Sequence, residues 1–187
     1  MGDTIIETER LILRTERPGD FEEWMERINT PEVREYLGGI ESADKVRSIF
    51  DRTAASEASE GYSFRFVEER DTGRLIGSCG LKRADAEGLA SDLRGVLEIG
   101  WLLSEDAWGH GYATEAARVM LAHAFERLGT DLVIALTSRS NPQSWRIMEK
   151  LGMSYRPEYD FDDADFPPRD NPTIVYAITK QEWENAR

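Results

Sequence analysis

The sequence predicts a mixed α/β fold, with helices packed on a central, mostly antiparallel sheet. Three stretches carry this reading. Residues 96–137 run from an apolar strand through an amphipathic helix to a buried strand, which is a βαβ unit with two parallel strands and a right-handed crossover. Residues 63–67 alternate in polarity and lead through the turn Asp71-Thr72-Gly73 into 75–81, an antiparallel hairpin. Residues 173–178 supply a late strand after the last long helix. The 187 residues suit one domain, 1–187, and 40% hydrophobic against 32% charged residues places the chain with folded rather than disordered proteins.

The elements follow in order. Residues 10–14 form a first strand. Asp20 is placed to cap a helix through Glu22 to Arg27, Pro31 to start a short helix, and Ser42 to cap a longer one reaching Ala58. Residues 82–95 form a polar excursion rich in Ala, Asp and Gly. In the strand 96–103, Leu97, Ile99, Trp101 and Leu103 share one face, and Glu98, Gly100 and Leu102 the other. From Tyr112 to Leu128 the apolar side chains recur at steps of three and four, which marks one face of a helix ended by Gly129. Residues 132–136 form the buried strand. Asn141-Pro142 opens a helix that stops at Gly152, and Thr179 with Glu182 forms a capping box for a last turn carrying Trp183.

Charge and composition exclude several functions. The formal charge is −13, from 23 basic and 36 acidic side chains, which disfavours a phosphate-tracking nucleic-acid surface and either attracts cationic substrates or merely serves solubility. No apolar run approaches the roughly 20 residues of a membrane helix. The start of the chain lacks the basic and apolar blocks of a secretory signal, and Ile6 breaks the myristoylation pattern. With Cys79 alone there is no internal disulfide, and a cytoplasmic location is expected. Asp160, Asp162, Asp163 and Asp165 lack the glycine and distal glutamate of a calcium loop, so no metal is expected; a solvated or substrate-facing loop that could receive a cation fits better.

The turn Trp108-Gly109-His110-Gly111-Tyr112-Ala113-Thr114 sits where a strand hands over to a helix. A helix N-terminus leaves amides unpaired and carries partial positive charge, and glycines let a phosphate approach them. There is no GxxxxGK[ST] loop, and Thr114 replaces the third glycine of a dinucleotide fingerprint. Taken alone, this G-x-G also fits an ordinary tight turn.

Five blocks stand in order along residues 8–183: 8–14, 76–81, 98–103, 107–116 and 141–152. Together they resemble the GCN5-related N-acetyltransferases (GNAT), and more narrowly the branch that includes the ribosomal-protein alanine acetyltransferases RimJ and RimL. The resemblance implies a sheet splayed at its two parallel strands and acetyl-CoA as cosubstrate. Backbone groups of Leu102 and Leu103 would pair with the pantetheine arm. The turn from Trp108 through Gly109, His110, Gly111, Tyr112 and Ala113 to Thr114 would cradle the pyrophosphate with backbone amides. Asn141 would bond the pantetheine, and Ser144 would lie near the sulfur. Related chains carry Gln or Arg three residues before the first glycine, where this one has Asp106. Many place a tyrosine acid four residues after the position of Ser144, and here that position is Met148.

Amide formation needs a neutral amine, a stabilised oxyanion and a protonated or hydrogen-bonded leaving thiolate. Glu98, inside an apolar strand, is the candidate base because desolvation raises its pKa; the alternative is that it pairs with an arginine or orders a bend. Gly100 either admits the acyl group or marks a bulge. Ser144 is the candidate partner of the thiolate, the alternative being a bond to its own helix backbone. Tyr155 is a substitute acid or a core residue. His110 is read as a solvated loop residue, His123 as a helix-surface residue and Cys79 as a small buried hydrophobe.

The expected activity is acetyl transfer from acetyl-CoA to an amine-bearing substrate by direct attack. The acceptor is a protein N-terminal α-amine or a small amine. The alternative is an acyl-CoA-binding module without turnover, and a homodimer is left open.

Overall fold

The computed structural model describes residues 4–186. Eight strands form one sheet: β1 (Thr4–Glu7), β2 (Leu11–Arg14), β3 (Phe64–Glu69), β4 (Arg74–Arg83), β5 (Leu97–Leu103), β6 (Leu132–Ser138), β7 (Ser154–Tyr155) and β8 (Thr173–Thr179). Their spatial order is β1-β2-β3-β4-β5-β6-β8-β7. Every neighbouring pair is antiparallel except β5 and β6, the two strands of the βαβ unit.

That parallel pair is joined only at its start. Leu97 lies opposite Val133 and Glu98 opposite Ile134, and beyond these the strands part. Both keep their outer partners throughout, β5 on β4 to Leu103 and β6 on β8 to Ser138. The expected splay is therefore present, and Glu98 stands at its apex.

The helices are α1 (Asp20–Arg27), α2 (Ala43–Glu60), α3 (Tyr112–Ala122), α4 (Pro142–Lys150) and α5 (Lys180–Asn185). Helix α3 crosses over between β5 and β6 and continues through one wide π turn at His123–Arg127 before Gly129 (φ 68°) ends it. Its inner face is Ala116, Ala117, Met120, Leu121 and Ala124, all buried, and the alanines let the helix lie close to β4 and β5. Strand β3 divides its side chains between two cores. Val67 joins the core beneath α3, and Phe66 joins Trp24 and Phe50 beneath α1 and α2. Those three rings meet edge to face at 4.7–5.9 Å, a geometry that adds about 0.5–1.5 kcal/mol per pair to their burial.

Several expectations change. Asp20 does not cap α1. Gly19 (φ 96°) takes that place, and the Asp20 carboxylate turns inward to Arg14 at 2.7 and 2.9 Å. Arg14 Nε also reaches Glu68 at 2.6 Å, and Arg17 reaches the same carboxylate oxygen. This buried ionic network ties β2, β3 and α1 together. Pro31 starts no helix; the segment is a succession of turns through Gly38 and Gly39, whose φ values of 80° and 91° break any helix. The excursion after β4 is less polar than its composition, because Leu89 and Leu93 are buried against β6 and β8. His123 is half-buried rather than on the surface, and burial beside Arg65 pushes its pKa down. Among the described residues no helix is long and apolar enough to cross a membrane.

Candidate active site

The splay opens into a cavity of about 1170 Å³. It gathers Glu98, Leu102, Leu103, Trp108, Gly109, Gly111, Tyr112, Ala113, Thr114, Asn141 and Ser144. Residues up to 46 positions apart, from three segments of the chain, thus meet in one space because β5 and β6 end, and α3 and α4 begin, at the opening. His110 does not line it. Its ring stacks on Tyr112 outside the cavity, at 5.5 Å.

The glycine turn fits an anion. Gly109 (φ 78°) and Gly111 (φ 79°) hold a left-handed backbone that other residues adopt at a cost. Helices α2, α4 and α5 are capped by the side chains of Ser42, Asn141 and Thr179, whereas α3 is capped by Gly111 with no side-chain bond. Its first amides are therefore left for a ligand. Arg10 fastens the turn from outside. Its guanidinium donates to the His110 carbonyl at 2.9 Å, pairs with Glu115 at 2.6–2.7 Å and lies 4.7 Å over the Tyr112 ring. Tyr112 in turn donates its hydroxyl to Glu69 at 2.7 Å. Glu115, which would repel an anion from the first turn, also accepts from Thr8 and the Arg10 amide, and these bonds hold its pKa low against its partial burial.

Asp106, in the place where related chains carry Gln or Arg, is itself paired with two arginines. Arg27 chelates it at 2.8 and 2.9 Å and Arg74 reaches it at 3.1 Å. The Ser104 hydroxyl donates to it as well and, with the two arginines, holds its carboxyl below the usual range.

The strand edge facing the splay is not quite the expected one. The Leu102 carbonyl points to β4, where a Cβ on Gly77 would stand 2.0 Å from it, and the Leu102 side chain packs toward the α1–α2 core. Strand groups alternate sides, so Trp101 and Leu103 face the opening. The Leu103 carbonyl already accepts the Trp108 indole N–H at 2.9 Å, which leaves its amide and both backbone groups of Trp101. Asn141 is also partly committed, because its Oδ1 accepts the Ser144 amide at 3.2 Å. Ser144 is half-buried on the first turn of α4, and Met148 is buried one turn further on.

Glu98 is 9% exposed. Its Oε2 has no hydrogen-bond partner, and Lys82 Nζ stands 3.5 Å away at ion-pair range. Burial raises the Glu98 pKa, and Lys82 offsets part of that rise. The pairing is with Lys82, its cross-strand neighbour, rather than an arginine, and β5 shows no bend there. Gly100 marks no bulge either; it makes room for the Phe64 ring, which would lie 3.0 Å from a Cβ at that position. Tyr155 packs against the core, its ring 5.4 Å from that of Tyr176, and is not a free acid. It is half-buried, donates its hydroxyl to Asp160 and accepts from Arg139, and the bond to Asp160 pushes its pKa up. Cys79 is wholly buried, which pushes its thiol pKa far up and makes it inert.

Lys82, Phe64 and Arg10 are site residues that the sequence did not announce. Lys82 was findable, since the hairpin register places it opposite Glu98, but the turns after β4 hid where the hairpin ends. Arg10 reaches Glu115 across 105 residues, and no local signal marks such a contact.

The chain matches the acetyltransferase (GNAT) domain family over residues 10–154. The uncharacterized N-acetyltransferase YoaA of Bacillus subtilis (strain 168) is 32% identical over 151 residues, 79% of this chain and 81% of that protein. An acetyltransferase crystal structure from Agrobacterium tumefaciens str. C58 aligns with TM-score 0.74 and 27% identity, covering 92% of each chain. The spermidine N-acetyltransferase from Vibrio cholerae, in complex with CoA and spermine, shares the fold at TM-score 0.70 and 17% identity, over 95% of this chain and 100% of that one. With a parallel pair splayed over an uncapped glycine turn, and a family match covering most of its length, the chain belongs to the GNAT acetyltransferases.

Proposed function

We propose that residues 1–187 act as a single N-acetyltransferase domain that moves an acetyl group from acetyl-CoA to a primary amine by direct attack. The observation that carries this is one cavity joining an uncapped helix N-terminus to a buried, unsatisfied carboxylate at the apex of the splay. The amides of Gly109 to Thr114 hold the pyrophosphate, with Arg10 fixing the turn. The Leu103 amide and the backbone of Trp101 pair with the pantetheine, and the Asn141 amide donates to it. Fold relatives support this donor, since the Vibrio cholerae spermidine enzyme was solved with CoA.

The acceptor amine enters as a cation and must lose a proton before it attacks. Glu98, directly or through a water, takes that proton; its raised pKa makes it a stronger base than an exposed glutamate. The amine nitrogen forms a bond to the thioester carbon, the tetrahedral adduct collapses, and the C–S bond breaks. The Ser144 hydroxyl stabilises the departing thiolate, which takes the second proton shed by the acylated nitrogen and leaves as the free thiol, and the proton held at Glu98 returns to solvent. The resemblance to the RimJ and RimL branch favours a protein N-terminal α-amine as acceptor, and the negative charge of the chain favours a cationic small amine.

Release of free thiol from acetyl-CoA across a panel of amines tests this reading. Coenzyme binding with no thiol release for any amine would instead support the non-catalytic acyl-CoA module. Gly111→Glu tests the pyrophosphate site. Coenzyme affinity should fall roughly tenfold or more, a loss of about 1.4 kcal/mol or greater, and fall further than in Gly111→Ala, which carries the same backbone strain without the charge. Equal affinities in the two variants would remove the pyrophosphate from this turn.

A further inference from the structure

A second cleft of about 520 Å³ lies between the turn segment 31–40 and the loop 167–170. Its walls include Glu32, Glu35 and Asp170, and the same three residues also line the main cavity. The two spaces therefore meet at a cluster of carboxylates. Asp170 is the unusual member. It is only 3% exposed, and its Oδ2 accepts no hydrogen bond. A buried carboxylate in a native fold ordinarily has partners, and one without them is a vacancy for a cation or a donor.

The nearby cations fill that role only in part. Arg169 Nε stands at ion-pair range of Asp170 Oδ2, 3.6 Å, without a hydrogen bond, and on a side chain that is 72% exposed. Arg34 turns the other way, to Glu41 at 2.9 Å and to the Gly39 carbonyl at 2.6 Å. The cluster keeps a net negative charge in a protein whose overall charge already draws cations.

Strand register sets the scale between this cluster and the proposed base. Glu98 lies opposite Ile134 on β6, Ser138 is four residues further along, and Thr173 of β8 lies opposite Ser138. At ~3.3 Å per residue and ~4.8 Å between strands, Glu98 and Thr173 are on the order of 15 Å apart. Asp170 lies in the short turn just before Thr173. A short diamine does not span this distance, whereas a linear tetraamine does.

We propose that the acceptor is an extended oligoamine whose reacting amine sits at Glu98 and whose distal ammonium is received by Asp170, where the two cavities meet. This rests on the transferase reading above and adds the acceptor class to it.

The test uses the full chain and three probes: spermine, putrescine and 1-aminobutane. Calorimetric titration should show spermine bound at least about tenfold more tightly than 1-aminobutane, a difference of about 1.4 kcal/mol. Asp170→Asn should remove most of that difference and raise the KM for spermine, leaving kcat and the KM values for 1-aminobutane and acetyl-CoA unchanged. Should Asp170→Asn fail to fold by circular dichroism, Glu35→Gln on the exposed wall should still weaken spermine several-fold and selectively. Spermine bound no more tightly than 1-aminobutane, or variants that change both alike, would overturn the proposal. The two readings fail separately. Aspartate-dependent spermine binding without acetylation of any amine sinks the transferase reading alone. Acetylation of 1-aminobutane with no preference for spermine sinks this one alone.

Discussion

Glu98→Gln is expected to lower kcat/KM for amine acetylation by roughly 10²- to 10⁴-fold, the range of general-base catalysis, with acetyl-CoA affinity unchanged. The carboxylate must be ionised to accept the proton, so the wild-type rate should climb with pH through the raised pKa of Glu98. Lys82 holds that value down, and Lys82→Met should shift the acidic limb of the profile to higher pH. Stability should move the opposite way to activity. Because the folded pKa of Glu98 lies above its unfolded one, the protonated form favours the fold. That contribution is present at low pH and is lost as pH rises through the unfolded and then the folded value. The Gln variant should therefore melt higher than wild type at pH 7 and converge with it near pH 4. An unchanged rate at every pH would remove Glu98 from the proton transfer.

Arg14→Met is the largest structural loss to be expected. The Arg14 guanidinium is almost wholly buried and holds Asp20 through two bonds and Glu68 through one. Removing it leaves two carboxylates in an apolar setting, with only Arg17 to share. Breaking a buried pair in this way costs about 3–5 kcal/mol, which for a chain of this size lowers Tm by roughly 10 °C. Replacing all three residues with apolar side chains, Arg14→Met with Asp20→Leu and Glu68→Met, should recover most of the loss, because the penalty comes from the stranded charges. A single variant within about 1 kcal/mol of wild type would show that water reaches the network.

The strands and long helices were legible because periodicity and caps are local. Ser42, Asn141 and the Thr179–Glu182 box all cap the helices their spacing predicts. The misread places are those where another part of the chain, distant or nearby, overrides a local preference. Asp20 has the chemistry of a cap, but Arg14 on β2 offers it a buried salt bridge. Pro31 offers a helix start, but Gly38 and Gly39 follow too soon to allow one. At the site, the glycine turn and Glu98 were legible as a motif and as a charge out of place in an apolar strand. The orientation of the Leu102 carbonyl and the chelation of Asp106 by Arg27 and Arg74 depend on strand pairing and on a helix 79 residues away, which no window on the sequence contains. Nothing in the sequence sets Asp170 apart, and its buried oxygen without a hydrogen bond exists only once the chain is folded.

An ordinary open sheet has two edges, and this one has four. Where β5 and β6 part, each presents an inner row of amides and carbonyls that no neighbouring strand pairs, in the middle of the protein. An exposed edge invites any extended polyamide to add itself as a strand, and proteins usually cover or charge such edges to prevent it. Here the invitation is confined to a wedge between the glycine turn and the start of α4 that closes at Glu98. The amide-bearing arm of a thioester donor can lie in that wedge as a short borrowed strand. On the transferase reading, the interior edge is a template that this guest would complete, bridging the two halves of the sheet into one.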